Sequence, residues 1–270
     1  MNPILATLGT KLTERIAAKL TLPGLLYLSA WIWALRTGHA RPFDSGALAT
    51  ELDAWAEAAE TETGAFALAV ALALVAATAC GLLAALIGQE VIGRLWTTRV
   101  SPAWLLEWRR SAWDRRHADR DRPPPSRYRP DRLTPIGDSF RLAGERVDAQ
   151  YGLSVLDAWP RLMVLAGPET RNFVADSYRR YRSDATLAAW GLLVLPLALW
   201  WWPAALASIA GIAAGSLRAR YSAATLSLVI ESVVDAHQRD LAEALGVELS
   251  EGRLTREEGP LLNNILAKRG

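Results

Sequence analysis

The side chains that could do chemistry are few and scattered. Three histidines (His39, His117 and His237) lie far apart in sequence, and the one cysteine, Cys80, sits in an apolar run. Neither metal-ligand spacing nor a Cys/His pair suited to nucleophilic catalysis is present. No GxSxG, phosphate-binding loop or dinucleotide fingerprint occurs. The densest polar group is Glu231, Asp235, His237, Gln238 and Asp240. On a helix, Glu231 and Asp235 stand one turn apart on a shared face, and His237 falls off it. That pattern suits a solvated face, or else a polar network or divalent-cation site between helices. A catalytic role would need partners that the sequence does not identify. The expectation is a non-enzymatic protein with no catalytic, cofactor or metal residues.

A second pattern is made of small residues. Ala207, Gly211, Gly215 and Ala219 stand four apart, and Ala77, Gly81 and Ala85 repeat the spacing. Faces of this kind let two helix backbones approach closely. They predict helix packing within the chain or contact between subunits of a homo-oligomer.

These groups must be positioned by helices, and composition says in what solvent. The 270 residues are 51% hydrophobic and 21% charged, yet mean hydropathy is +0.10, above the usual soluble range. Part of the chain belongs in lipid and part in water. Disorder and a disulfide scaffold are excluded by the apolar content and the single cysteine. Arginine far outnumbers lysine, as in proteins of GC-rich bacterial genomes.

A bilayer core takes about 20 apolar residues of helix. Thr63 to Gln89 is uncharged throughout and gives the strongest span, 63–89. Residues 185–217 are also uncharged but are interrupted by Trp200-Trp201-Trp202-Pro203. Proline starts helices well and aromatic residues favour the membrane interface. The expected result is a hairpin, with spans at 185–201 and 203–220; a single tilted span is the alternative. The first span is placed at 20–36. A cleaved signal peptide ending near Gly38-His39-Ala40 is its competitor.

Charge orients these spans. Residues 1–19 carry three basic side chains and one acid, 37–62 is an acidic loop, and 94–132 holds eleven arginines against five acids. Basic residues collect on the cytoplasmic side. Four helices with both termini inside satisfy the alternation, and Trp31, Trp33 and Trp200 to Trp202 then share the outer interface. The predicted fold is all-α, a polytopic inner-membrane protein with a cytoplasmic helical unit.

Most of the remaining mass falls inside. Ser101-Pro102 should start a helix in the 90–135 juxtamembrane region. Its Trp104, Trp108, Arg109, Arg110, Arg115 and Arg116 suit contact with anionic phospholipid headgroups; packing between domains is the alternative, and the adjoining membrane disfavours nucleic acid. An extended proline-rich linker is expected after Asp121. Residues 136–184 read as a helical unit: one helix through Phe140, Ala143, Val147 and Tyr151, a break at Trp159-Pro160, and another helix from Pro168. Residues 221–270 extend the fourth span, with Leu226, Ile230, Val233, His237, Leu241 and Leu245 inward. Thr255 and Glu258 have capping-box spacing for a last helix.

The run Arg132-Leu133-Thr134-Pro135-Ile136-Gly137-Asp138, continuing through Tyr151-Gly152-Leu153 to Trp159-Pro160-Arg161-Leu162, resembles a segment of a family of bacterial multi-pass membrane proteins of no established function. Val234-Asp235-Ala236-His237 with Asp240-Leu241 resembles that family's last helix, so the likeness covers about residues 132–245. It implies a membrane protein with a cytoplasmic helical unit, and no activity. The functional expectation is an oligomeric scaffold or sensor acting through cytoplasmic helices, with a possible protein partner there. The alternatives are an oligomeric channel or membrane-permeabilising effector, and a membrane enzyme whose site is unrecognised.

Overall fold

A computed structural model describes residues 20–98, 102–118 and 124–268, apart from the side chains of Ala47 and Leu48. Among the described residues the chain is all-helical and has no strand. It divides into two compact units. Unit 1 comprises Met1–Ile92 and Ala185–Ser216, and unit 2 comprises Gly93–Asp184 and Leu217–Gly270.

Unit 1 contains α1 (Leu22–Thr37), α2 (Ser45–Thr61) and α3 (Thr63–Leu86). The last third of α8 (Pro168–Val194) and the first third of α9 (Pro203–Ala244) complete it. Small residues fix its packing. A Cβ on Gly24 would lie 1.9 Å from the Ala77 carbonyl oxygen, and one on Gly81 would lie 2.4 Å from that of Leu20. The backbones of α1 and α3 therefore touch, antiparallel, and the Thr21 and Thr78 hydroxyls share a 2.9 Å hydrogen bond across the contact. Asp44 starts α2 by accepting from the Gly46 N–H at 3.0 Å.

After α3 the helix widens into a π segment, Ile87–Ile92, and resumes as α4 (Gly93–Thr97) in unit 2. Gly88 lies in the widened turn, and a Cβ there would meet the Thr186 backbone at 2.7 Å. Among the described residues, two helices are long and apolar enough to cross a membrane: Thr63–Thr97, with an 18-residue window of mean hydropathy 2.5, and Pro168–Leu199, with one of 1.2.

α8 tightens into a 3-10 turn at Leu195–Leu199, where Pro196 cannot continue the α-helical ladder. The chain reverses over Trp200–Trp202 and starts α9 with Pro203. α9 lies antiparallel to α8 within unit 1, with Gly215 against Ala188 and Gly191 against Ile212.

Unit 2 is built on α5 (Ala103–His117), α6 (Pro135–Tyr151), α7 (Val155–Leu165) and α10 (Gly259–Leu266), with the remainders of α8 and α9. Its core joins Val147 and Tyr151 of α6, Leu153 of the α6–α7 loop, Ala158 and Leu162 of α7, Val229, Val233, Val234, Leu241 and Ala242 of α9, and Leu262 and Leu266 of α10. The Thr134 hydroxyl accepts from the Gly137 N–H and starts α6. Gly152, at φ +62°, ends it in the left-handed conformation.

Three expectations are corrected here. Trp159-Pro160 does not break the chain, because α7 runs continuously from Val155 to Leu165 with Pro160 inside. The lost hydrogen bond leaves the carbonyl of Leu156, which lies on the outer side of the helix at 85% exposure. On α9 the buried side is shifted: Val229, Val234 and Ala242 join Leu226, Val233 and Leu241, while Ile230, His237 and Leu245 are only half-buried. The segment after Asp121 is not wholly extended, since Ser126–Tyr128 forms a 3-10 turn.

Candidate functional site

Three arrangements carry the polar and aromatic chemistry. The first is the aromatic cluster of unit 1. Trp31 packs on Trp200 with ring centroids 5.5 Å apart, Tyr27 meets both Trp31 and Trp190, and Phe43 meets Trp201 and Trp202 edge-on. The Trp33 and Trp201 indole N–H groups both donate to the Pro42 carbonyl, at 3.0 and 2.9 Å. The Tyr27 hydroxyl donates to the Leu193 carbonyl, where α8 begins to tighten. A cleft of about 150 Å³ opens beside this cluster, lined by Trp33, Arg36, Glu51, Leu52 and Trp55.

The second arrangement is the α5–α6 junction of unit 2, centred on Asp138. Its carboxylate accepts from the Asp131 and Arg132 N–H groups at 3.0 and 3.1 Å. It also pairs with Arg109 at 3.0 Å and Arg141 at 3.4 Å. Arg109 donates in addition to the Arg132 carbonyl. Arg110 donates to the Pro130 carbonyl and pairs with Asp131 at 2.7 Å, and Arg129 pairs with Asp114 at 2.7 Å. Burial works against the Arg141 charge, but donation to the Glu145 carboxylate, together with that of Asp138, raises its pKa overall.

This corrects the expected lipid-facing set. Arg109 and Arg110 turn inward and hold α5 to the loop before α6. Trp104 and Trp108 are 72% and 63% exposed, and Arg115 and Arg116 are also exposed. Ser101, expected as the cap of α5, lies outside the described residues.

The third arrangement joins α6 to α9. Arg146 pairs with Glu231 at 2.7 Å. The Tyr151 hydroxyl donates to Asp235 at 2.8 Å and accepts from the Gln150 amide at 2.7 Å. Burial raises the Glu231 pKa, partly offset by Arg146. Burial, followed by the Asp235 carboxylate, pushes the Tyr151 hydroxyl up to about 12. His237 stands apart and pairs with Asp240 at 3.2 Å. Of the predicted cluster, Glu231 and Asp235 thus enter an interhelical network and His237 does not. Among the described residues no group of three or more His, Cys, Asp or Glu side chains could hold a metal ion.

The small-residue faces are engaged within the chain. Gly211 and Gly215 press on Gly191 and Ala188, Ala77 presses on Gly24 of α1 and Gly81 on Leu20 just before it, and Ala219 is fully buried. Ala207 is exposed and Ala85 half-buried. The buried line on α9 instead starts from Ala204 and Ser208, whose hydroxyl donates to the Gly191 carbonyl at 2.7 Å. Asp138, Arg146 and Tyr151 were not singled out as polar anchors from sequence. Asp138 does carry a signal, an acid in the first turn of a Thr-Pro-capped helix. Their other partners are distant in sequence.

No family model, curated protein or solved structure matches this chain.

Proposed function

We propose that the chain is a four-span integral membrane protein that works without catalysis, as a scaffold or sensor acting through the helices of unit 2. The observation that carries the membrane reading is the inverted packing of unit 1. Gly24, Ala77, Gly81 and Ala84 face inward, while Leu68, Leu72, Val75 and Leu86 are each about 60% exposed. A core helix of a soluble protein buries its large apolar residues, and this one presents them to its surroundings. Leu22, Leu26 and Leu35 of α1 and Leu206 and Ile209 of α9 do the same.

The four spans of the proposal are 20–36, 63–89, 185–201 and 203–220, in a bacterial inner membrane. The Arg-rich 94–132 segment and both termini are placed in the cytoplasm by the distribution of basic charge. The aromatic cluster at the α8–α9 turn belongs at the opposite, outer interface. With Cys80→Ser as background, a thiol reagent that does not cross the membrane should label Glu57→Cys in intact cells and spare Arg127→Cys. The reverse pattern would overturn the orientation, and loss of the protein from membranes on carbonate washing would overturn the spans.

The scaffold reading rests on the outer surface of unit 2. Leu156 and Val164 of α7 and Phe173 of α8 are each exposed, large apolar side chains of the kind that partners cover. Subunit contact through Gly211 and Gly215 is not part of the proposal, because those faces are filled by α8. Native mass spectrometry from mild detergent tests it: a chain that is strictly monomeric and without a bound partner refutes the scaffold. The channel alternative loses its motive with the small-residue faces.

A further inference from the structure

We infer that the outer face of α5 is an interfacial contact for anionic phospholipid headgroups, formed by Trp104, Trp108, Ser111 and Arg115 with Arg116 at its flank. The inference rests on the membrane reading above.

At 100° per residue, Trp104, Trp108, Ser111 and Arg115 fall within about 60° of one another around the helix. Arg109, Arg110 and Trp113 occupy the far side. Structure and spacing agree, because Arg109 and Arg110 are tied to Asp138 and Asp131, and Trp113 stacks on His117 at 4.3 Å. The helix is therefore clamped from behind by ion pairs. Its two tryptophans remain in the open, which a helix buried between domains would not leave so exposed. Trp104 and Trp108 are large amphipathic rings of the kind that sit at headgroup level. Arg115 and Arg116 supply the charge that anionic lipid attracts. Of the helix's acids, Asp114 is held by Arg129, while Glu107 is exposed, borders the face about 40° from Ser111, and acts electrostatically on Arg129.

The chain also restricts where α5 can go. The proposed span 63–89 continues as helix to Thr97, rising about 12 Å further at 1.5 Å per residue, and residues 98–102 then lead to Ala103. At about 3.5 Å per residue this linker adds about 20 Å at most, so the start of α5 is tethered within about 30 Å of the end of the span.

The test uses the full-length chain with Cys80→Ser, spin-labelled either at Ser111→Cys or at Val75→Cys, in nanodiscs of phosphatidylcholine with or without phosphatidylglycerol. Oxygen and a water-soluble nickel chelate report the depth of each label. The expected result is a lipid reading at position 75 in both discs and a headgroup-depth reading at position 111 that strengthens with phosphatidylglycerol. Arg115→Glu with Arg116→Glu should abolish that strengthening, by about 5-fold in partitioning per arginine. Trp104→Ala with Trp108→Ala should move the label into water. A water reading at 111 beside a lipid reading at 75 overturns the headgroup contact, leaves the membrane protein intact and gives the face to a protein partner. A headgroup reading indifferent to phosphatidylglycerol overturns the anionic preference. A water reading at 75 overturns the membrane reading itself.

Discussion

Trp33 and Trp201, far apart in sequence, donate their indole N–H groups to one acceptor, the Pro42 carbonyl. One oxygen thereby ties the end of α1 to the turn between α8 and α9. In a membrane reading this acceptor lies where water thins out, so an unpartnered carbonyl there is costly.

The shared acceptor predicts non-additive losses. Trp33→Phe or Trp201→Phe should each cost about 1 kcal/mol, because one indole still satisfies the carbonyl. The double variant leaves the oxygen without a protein donor and should lose more than the sum. Thermal denaturation in detergent, read as the folded fraction on size exclusion, gives the cycle. Simple additivity would mean that the two bonds do not depend on each other.

The small-residue faces predict a contrast on α9. A Cβ on Gly215 would lie 2.5 Å from the Ala188 nitrogen. Gly215→Ala should then force α8 and α9 apart at a cost of about 1–3 kcal/mol, despite Ala's better helix propensity. Ala207→Leu, on the exposed side, should change stability by about 0.5 kcal/mol or less. If instead Ala207→Leu altered the oligomeric state and Gly215→Ala were silent, the faces would be serving neighbouring subunits.

That contrast also shows what was legible in the sequence. The fourfold spacing marks a helix surface suited to close packing, and Gly211, Gly215 and Ala219 are packed within the chain. It cannot fix the angular register, which is set by the partner helix, so Ala207 was included and Ala204 and Ser208 were not. Helix starts at Pro168 and Pro203 were legible because proline acts locally. The engagement of Arg109 with Asp138 was not, because an arginine next to tryptophans reads the same whether it faces lipid or an acid from a distant loop. Pro160 misled for the opposite reason. Its local rule is strong, and tertiary packing of Ala158 and Leu162 overrode it.

Glu258 predicts a pH dependence of the C-terminal helix. Its carboxylate accepts from the Ser250 and Thr255 N–H groups at 2.8 and 2.9 Å and from both hydroxyls. These bonds, the Ser250 and Thr255 backbone donors first, lower its pKa from 4.5 to about 2. A carboxylate depressed in the folded state contributes stability that is complete above about 4.5 and is lost as pH falls toward 2. Hydrogen-exchange protection over residues 247–266, measured relative to the intrinsic rate at each pH, should therefore fall across that window. Glu258→Gln should show faster exchange already at neutral pH and a flatter acid response. A profile unchanged by Glu258→Gln would remove this carboxylate as the cause.

Asp138 predicts the largest single loss in unit 2. The Arg109 side chain is 15% exposed and that of Arg141 is 10% exposed, and both face this carboxylate. Asp138→Ala leaves two largely buried cations short of a partner and the Asp131 and Arg132 N–H groups without an acceptor. Removing one member of such a pair costs about 3–5 kcal/mol. Arg109 keeps the Arg132 carbonyl and Arg141 keeps Glu145, which places the loss at the lower end. Asp138→Asn retains an acceptor oxygen for the backbone donors and should cost about 1–3 kcal/mol. The break should also be local, since Arg109 is a main tether of α5 to α6. Limited trypsin digestion of Asp138→Ala should cut after Arg109 or Arg110 at concentrations that spare the parent chain. If α5 stays protected while the protein loses stability, the helix is held by its own apolar face and not by the Asp138 junction.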